Sequence, residues 1–315
     1  MKIVIIGGTG HVGTYLIPRL VKAGHEVISV SRSQRKPYQS NPAWQSVTQV
    51  KIDRTESEKR GTFGDEIRQL NPEAVIDMIC FTPESAQQIV EGLKGQVKHF
   101  LHCGTIWIHG HSVQVPTIET QPRNPFGDYG IKKAAIEKYL LKEARENDFP
   151  ATLLHPGHIV GPGWLPVNPA GHFNFDVFRK LANGETLSLP HFGMETLHHV
   201  HADDVAQSFM QALNHWDMAN GQSFHVVSDA ALTLRGYAES IAEWFGKPAN
   251  LKFLPWEEWR KTVSDDEADA TWGHIAHSPN SSIQKAKNRI DYNPQYTSLE
   301  AVQEAVKWWM EKEKE

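Results

Sequence analysis

The chain has 315 residues, a formal net charge of −5 at pH 7 and two cysteines. This length suggests one or two domains with a large core, and the acidic balance argues against a broad surface for nucleic acids. No apolar stretch approaches the ~20 residues that a membrane helix needs, so no membrane partner is expected. Both cysteines are predicted to be reduced, which favours a cytoplasmic protein.

Glycines at positions 7, 10 and 13 follow the apolar run at residues 3–6. Gly7 permits a tight turn after a strand, Gly10 allows the backbone to approach a phosphate, and Gly13 lets the next helix pack closely. The N-terminus of that helix, expected over residues 11–23, offers free N–H groups to an anion. The pattern predicts a dinucleotide pyrophosphate site, and the alternative is an ordinary strand–helix turn.

The second predicted strand, residues 25–32, ends in Ser31 and Arg32 instead of an acidic residue. An acidic side chain there binds the adenosine ribose hydroxyls and favours NAD, whereas a guanidinium matches the oxygens of a 2′-phosphate. Arg35 and Lys36 follow, so a solvated basic loop is the alternative. The prediction is NADP, with NAD as the second choice.

Tyr129 and Lys133 lie four residues apart, on one side of a predicted helix. A free tyrosine has a pKa near ~10, which is too high for a base at neutral pH. An ammonium group a few ångströms away would favour the phenolate and lower this pKa. The spacing therefore predicts an acid/base tyrosine with a lysine partner, against the alternative of a surface pair.

Apolar strands alternate with helical patterns up to about residue 160, which predicts a parallel sheet with helices on both faces. The glycine motif, Tyr129 and Lys133 belong to a longer series of matching segments at residues 74–79, 100–110, 129–137, 155–162, 199–206 and 290–294. In order and spacing, the series resembles the extended short-chain dehydrogenase/reductase family, in its NAD(P)-dependent epimerase/dehydratase group.

This resemblance implies an α/β fold: a doubly wound parallel sheet (Rossmann) with a smaller C-terminal α/β substrate lobe. The expected Rossmann domain comprises residues 1–160 and 197–230. The expected substrate lobe comprises residues 161–196 and 231–315. A homodimer through the helix that carries Tyr129 is a family expectation only.

The resemblance also implies a catalytic triad of Thr105, Tyr129 and Lys133, in which Thr105 steadies the substrate oxygen and Lys133 also holds the nicotinamide ribose. The chain departs from the family by having Cys103 and Gly104 where serines are usual. The cofactor residues implied by the motif and the resemblance are Gly7, Gly10, His11, Val12, Gly13, Arg32, Asp53, Arg54, Met78, Ile79, Lys133, His155 and Gly157.

Within that set, Asp53 and Arg54 are expected at the adenine ring, and Met78 and Ile79 along the ribose–phosphate path. His155 stands where the family commonly has an arginine, and the segment from His155 to Gly157 is expected near the nicotinamide, where it begins the substrate cleft.

Three histidines at 198, 199 and 201 suggest a metal, but no acidic or thiol partner follows at a recognised spacing. No metal site is therefore predicted, and hydrogen-bonded or packed histidines are expected. Asp203 is expected to cap the following helix.

The substrate is expected to be a small molecule, either nucleotide-linked or a smaller hydroxyl- or keto-bearing molecule. Glu195 stands near the position where the family's nucleotide-sugar enzymes commonly have an arginine, and a carboxylate repels a pyrophosphate. Three hypotheses stay open. The first is an epimerase or dehydratase acting on a sugar or sugar-like molecule, and the second is an NADPH-dependent ketone or aldehyde reductase. The third, a cofactor-bound regulatory or RNA-binding protein, is disfavoured by the intact triad and the acidic charge.

Overall fold

The computed structural model describes residues 1–32 and 35–312. Its strands are β1 Lys2–Ile6, β2 Glu26–Ser31, β3 Thr48–Lys51, β4 Ala74–Asp77, β5 His99–Cys103, β6 Ala151–Pro156, β7 His158–Val160, β8 Leu187–Pro190, β9 Thr196–Leu197, β10 His199–His201, β11 Ser223–Val226, β12 Leu232–Thr233 and β13 Leu251–Leu254.

The helices are α1 His11–Lys22, α2 Arg54–Lys59, α3 Phe63–Arg68, α4 Pro83–Leu93, α5 Gly127–Glu146, α6 Asp176–Asn183, α7 Ala202–Asn214, α8 Trp216–Ala219, α9 Leu234–Trp244, α10 Trp256–Trp259, α11 Asp265–His277, α12 Gln284–Ile290 and α13 Ser298–Lys312. Short 3₁₀ helices cover Pro42–Ser46, Ile106–His109 and Arg260–Thr262. Across residues 1–32 and 35–312, no helix is long and apolar enough to cross a membrane.

Seven strands form one parallel sheet in the order β11-β6-β5-β4-β1-β2-β3. The chain winds outward from β1 in both directions, with β2 on one side of it and β4 on the other. In register, Ile3 of β1 faces Val27 of β2 and Ala74 of β4. The predicted doubly wound parallel sheet is confirmed.

Both faces of β1 are covered, which explains why its sequence is a continuous apolar run rather than an alternating one. Ile3 and Ile5 pack in a cluster with side chains of α1 and α7. Val4 and Ile6 point to the opposite face and pack with side chains of α3, α4 and α5. The helices therefore lie on both sides of the sheet.

A third apolar cluster lies outside the sheet and contains residues of α6, α9 and α13 with the fully buried Trp259. Strand β8 pairs in parallel with β13 there, and β9 pairs antiparallel with β12. The helix α12 was assigned to the substrate lobe, yet Ile283, Ala286 and Ile290 pack in the cluster of the large sheet. The exact domain division stays a prediction.

The helix α7 begins differently from the prediction. His201 is its N-cap, because His201 Nδ1 accepts a hydrogen bond from the main-chain N–H of Asp203 at 3.0 Å. The Asp203 carboxylate instead forms an ion pair with Arg19 of α1, at 2.7 Å. The predicted Asp203 cap was therefore wrong, and the carboxylate links two helices on the same face of the sheet.

Candidate active site

The glycine loop between β1 and α1 is shaped by close contacts. Gly7 has a φ of +87°, and a Cβ there would lie 2.8 Å from Ile79 Cγ2. A Cβ on Gly13 would lie 2.0 Å from the carbonyl oxygen of Gly8. Within the described residues, α1 has no side-chain N-cap, so its first amide groups are available to an anion. The loop fits a dinucleotide phosphate.

Two adjoining hollows of about 480 Å³ and 380 Å³ lie beside this loop. They share Gly7, Gly10, Arg35, Ile79 and Phe81, so they form one continuous cleft. Of the predicted site residues, the larger hollow is lined by Gly7, Gly10, His11, Val12, Gly13, Met78, Ile79, Thr105, Tyr129, Lys133 and Gly157. The smaller hollow adds Arg32, Asp53 and Arg54.

The three predicted catalytic side chains lie at the larger hollow. Lys133 is buried on α5, and its Nζ donates to the carbonyl oxygens of Cys80 and Cys103 at 2.8 Å each. The same Nζ lies 5.9 Å from the centre of the Tyr129 ring. The Thr105 hydroxyl accepts a hydrogen bond from the main-chain N–H of Trp107 at 3.3 Å. Its own hydrogen can donate to the neighbouring Tyr129 oxygen or to a substrate oxygen.

The pKa of Tyr129 is shifted upward, whereas the sequence predicts a downward shift. Burial raises the pKa of Tyr129 to about 12, and the neighbouring Thr105 hydroxyl offsets part of that rise. Lys133 was expected to lower this pKa, but its ammonium is held between two carbonyl oxygens, and burial lowers the pKa of Lys133 as well. In the protein alone, the phenol is neutral and suited to donate a proton.

His155 does not line either hollow, which corrects its expected place near the nicotinamide. Its ring is fully buried beneath the end of β5, where Nδ1 accepts a hydrogen bond from the Thr105 main-chain N–H at 3.1 Å. Nε2 lies 3.1 Å from Oε1 of Glu137 on α5. Pro156 and Gly157, the next residues, do line the larger hollow.

Asp53 and Arg54, which are expected at the adenine ring, line the smaller hollow, and each side chain also has a structural role. The Arg54 guanidinium forms ion pairs with Glu58 at 2.6 Å and with Asp77 at 2.8 Å. Asp53 caps α2 by accepting from the main-chain N–H of Glu56 at 3.3 Å. Arg54 therefore braces α2 against β4, and Asp53 remains an acceptor at the rim.

Two aromatic residues that the sequence analysis missed cover the glycine loop. Trp164 stacks on His11 with ring centres 5.1 Å apart and planes 6° apart. Tyr38 meets both rings edge-on, at 5.3 Å from His11 and 6.1 Å from Trp164. Residues 161–169 are rich in proline and glycine, which is typical of a loop, but no periodic pattern indicates where this segment packs.

The clustered histidines have main-chain partners. His198 Nε2 lies 2.9 Å from the Ser228 carbonyl oxygen, and His199 Nε2 lies 3.1 Å from that of Val167. Over the described ranges, no group of three or more histidine, cysteine, aspartate or glutamate side chains is placed to hold a metal ion.

Comparisons with known proteins identify the family of the chain. Residues 3–226 match the NAD dependent epimerase/dehydratase family. A 2′-dehydrokanamycin reductase of Streptomyces kanamyceticus is 25% identical over 268 residues, covering 84% of this chain and 72% of that protein. The chloroplast stem-loop binding protein of 41 kDa b of Arabidopsis thaliana is 23% identical over 313 residues, covering 96% and 77%.

The fold is also found in a crystal structure of UDP-glucose 4-epimerase with UDP-glucose from Thermotoga maritima. That structure gives a TM-score of 0.75 at 21% identity and covers 99% of both chains. The family match confirms the resemblance to extended short-chain dehydrogenase/reductases and the prediction of an NAD(P)-dependent enzyme. The chain belongs to the NAD dependent epimerase/dehydratase family.

Proposed function

We propose that the protein is an epimerase/dehydratase-like enzyme that acts on a hydroxyl-bearing carbon of a sugar or sugar-like molecule, through Thr105, Tyr129 and Lys133. The carrying observation is that these three side chains line the same hollow as the glycine loop. Acid/base groups and a dinucleotide site in one cleft are what hydride transfer at a carbinol carbon requires.

Each residue has a distinct part in this chemistry. A bound nicotinamide dinucleotide supplies the hydride acceptor and donor. Tyr129, neutral in the protein alone, donates a proton to a carbonyl oxygen during reduction and takes it back during oxidation. Thr105 would donate its hydroxyl hydrogen to the same oxygen, and Lys133 would donate to the ribose hydroxyls of the dinucleotide.

The cofactor we propose is NADP, with NAD as the alternative. Arg32 and Arg35 line the smaller hollow at the end of β2, where Ser31 replaces the acidic residue that would bind the ribose hydroxyls. Guanidinium groups at this point suit a 2′-phosphate.

For the substrate, we propose a sugar or sugar-like molecule, either nucleotide-linked or a smaller hydroxyl- or keto-bearing molecule, and the charge of Glu195 counts against an ordinary UDP-sugar. Glu195 contacts the His191 imidazole, so a carboxylate occupies the stretch where a pyrophosphate would need a cation. We further propose that the enzyme works in the cytoplasm, with no nucleic acid partner. A homodimer through α5 remains a proposal from the family.

The alternative function is an NADPH-dependent ketone or aldehyde reductase. It uses the same three residues, and the similarity to a 2′-dehydrokanamycin reductase supports it. The neutral state of Tyr129 also suits the reductive direction. A third possibility is RNA binding, which the similarity to a chloroplast stem-loop binding protein supports. The net charge of −5 argues against it.

The test is to analyse the purified protein for bound nicotinamide by fluorescence and mass spectrometry, and then to titrate it with NADPH and NADH. Bound NAD(H) that survives purification would indicate an internal redox cycle, hence an epimerase or dehydratase, and would refute the NADP assignment. An empty protein that prefers NADPH would favour the reductase. Binding of neither dinucleotide would refute both enzymatic functions.

A further inference from the structure

We propose that His155 is a positioning residue of the active site: in its neutral Nε2–H form it holds the main chain of Thr105 in place, and Glu137 with Arg123 holds His155 in that form. The proposal rests on the proposed function only in calling Thr105 catalytic. The arrangement itself is a property of this chain's own residues.

The protonation of His155 follows from its two partners. A main-chain amide can only donate, so His155 Nδ1, 3.1 Å from the Thr105 nitrogen, must present a lone pair. A neutral imidazole then carries its hydrogen on Nε2. Nε2 lies 3.1 Å from Glu137 Oε1, and a carboxylate oxygen is the acceptor that this hydrogen requires.

Arg123 keeps Glu137 available as that acceptor. Its guanidinium donates to both carboxylate oxygens, with Nε and Nη2 each at 2.8 Å from one oxygen. Although burial opposes ionisation of Glu137, the hydrogen bonds from Arg123 hold the pKa of this carboxyl well below its usual range. A series of hydrogen bonds therefore runs from Arg123 through Glu137 and His155 to the Thr105 main-chain N–H.

The other atoms at Thr105 show what this series accomplishes. The main-chain N–H is held by His155, and the hydroxyl oxygen is held by the Trp107 N–H at 3.3 Å. With both groups fixed, the hydroxyl hydrogen is the donor left for a substrate oxygen. These two hydrogen bonds limit the motion of the Thr105 hydroxyl, which must lie within a few tenths of an ångström of its productive position beside the substrate oxygen.

The chain departs from the family pattern at Gly104 and at His155, and the structure connects these two departures. A Cβ on Gly104 would lie 2.1 Å from His155 Nδ1, so a serine at 104 would collide with the imidazole. Glycine at 104 therefore accompanies histidine at 155, because the ring occupies the space beside the β5 terminus.

The first test uses the native protein with ¹⁵N-labelled histidine, without cofactor or substrate. The ¹⁵N signals of a ring distinguish a protonated from an unprotonated nitrogen, and the His155 signals are identified by their loss in His155→Asn. We expect an unprotonated Nδ1 and a protonated Nε2 at neutral pH. If His155→Asn does not fold, the loss of the same signals in His155→Gln identifies them, and a protonated Nδ1 would overturn the proposal.

The second test separates the two bonds of the ring by hydrogen exchange. In His155→Asn the amide oxygen takes the place of Nδ1, so the Thr105 N–H keeps an acceptor. In His155→Gln the amide nitrogen takes the place of Nε2, so only the bond to Glu137 is kept. We expect Thr105 amide exchange to be roughly tenfold faster in His155→Gln and near native in His155→Asn.

The Gly104 amide is the internal control, because it donates to the Leu154 carbonyl oxygen at 2.7 Å and not to His155. Its exchange should stay unchanged in both variants. Equal acceleration of Gly104 and Thr105 would mean general loosening of the strand and would contradict a positioning role. Both tests are independent of cofactor binding, so their failure is distinct from failure of the proposed function.

Discussion

The Nζ of Lys133 lies 2.8 Å from the carbonyl oxygen of Cys103, where β5 ends. A second bond of the same length reaches the Cys80 carbonyl oxygen beyond β4. A single ammonium on α5 thus satisfies two main-chain acceptors beside neighbouring strands. Lys133 therefore has a structural task besides the cofactor contact that we propose for it.

Replacing this ammonium should cost stability. We expect Lys133→Met to lower the free energy of unfolding by about 1–3 kcal/mol, because two buried carbonyl groups lose their donor. The control is Lys132→Met, because the ion pair of Lys132 with Asp128 lies at the surface and its loss should change stability by less than about 0.5 kcal/mol. Urea unfolding measures both, and equal effects would contradict a structural task for Lys133.

Tyr129 should act as a proton donor over a wide pH range. Because burial raises its pKa to about 12, the phenol stays protonated from neutral pH to about pH 10, and the rate of NADPH-dependent carbonyl reduction should not fall over that range. Tyr129→Phe should lower this rate by about 10²–10⁴-fold.

The matched control for that variant is Tyr139→Phe, on the same helix α5, which should keep the native rate. NADPH oxidation with a panel of ketone and aldehyde substrates measures all three proteins. A native rate that falls between neutral pH and about pH 9 would show that a group with a lower pKa provides the proton.

Arg32 should determine the choice between the two dinucleotides. Arg32→Ala should weaken NADPH binding by roughly tenfold or more, since a charge-assisted contact to the 2′-phosphate is lost, and should leave NADH binding unchanged. Arg145→Ala, in the last turn of α5, is the control. Fluorescence titration measures both dinucleotides. An equal change for NADPH and NADH would mean that Arg32 belongs to a solvated loop.

Trp164 should slow the release of the cofactor, because its ring stacks on His11 across the larger hollow. We expect Trp164→Ala to raise the dissociation rate of NADPH by roughly 3- to 10-fold, in line with the strength of an aromatic pair. Trp272→Ala is the control, since Trp272 is 51% exposed and lines neither hollow. Stopped-flow displacement measures the rate, and identical rates would exclude a covering role.

The buried histidines should make the protein sensitive to acid. Burial lowers the pKa of His199 to about 3 and of His198 to about 4, below the ~6.5 of the unfolded chain. Below pH ~6.5 the unfolded state binds protons that the native state does not. Stability is therefore lost as the pH falls from about 6.5 towards 4, at about 1.4 kcal/mol per pH unit for each such histidine.

Urea unfolding between about pH 7 and pH 5 measures this slope. His199→Gln keeps a donor for the Val167 carbonyl oxygen, which His199 Nε2 contacts at 3.1 Å, and removes the titrating ring. The slope should become shallower by about 1.4 kcal/mol per pH unit. Stability that is independent of pH across this interval would refute the prediction.

The sequence by itself determined the parts of this protein that depend on local geometry. Periodicity places Tyr129 and Lys133, four residues apart, on one side of a helix. A continuous apolar run predicts a strand that is buried on both faces, and the glycines that follow it predict the turn into α1. The sequence also predicted residues that line one cleft, because parallel strands bring their carboxyl ends to one edge of the sheet.

Only the tertiary structure decided which atoms those residues face. Trp164 reaches His11 across about 150 positions of sequence, and His155 reaches Thr105 from the neighbouring strand. The Lys133 ammonium meets two carbonyl groups instead of acting on the Tyr129 phenol, whose pKa is set by burial. Such contacts depend on how strands and loops far apart in the chain are brought together. No periodicity in the sequence encodes which of these distant residues will meet.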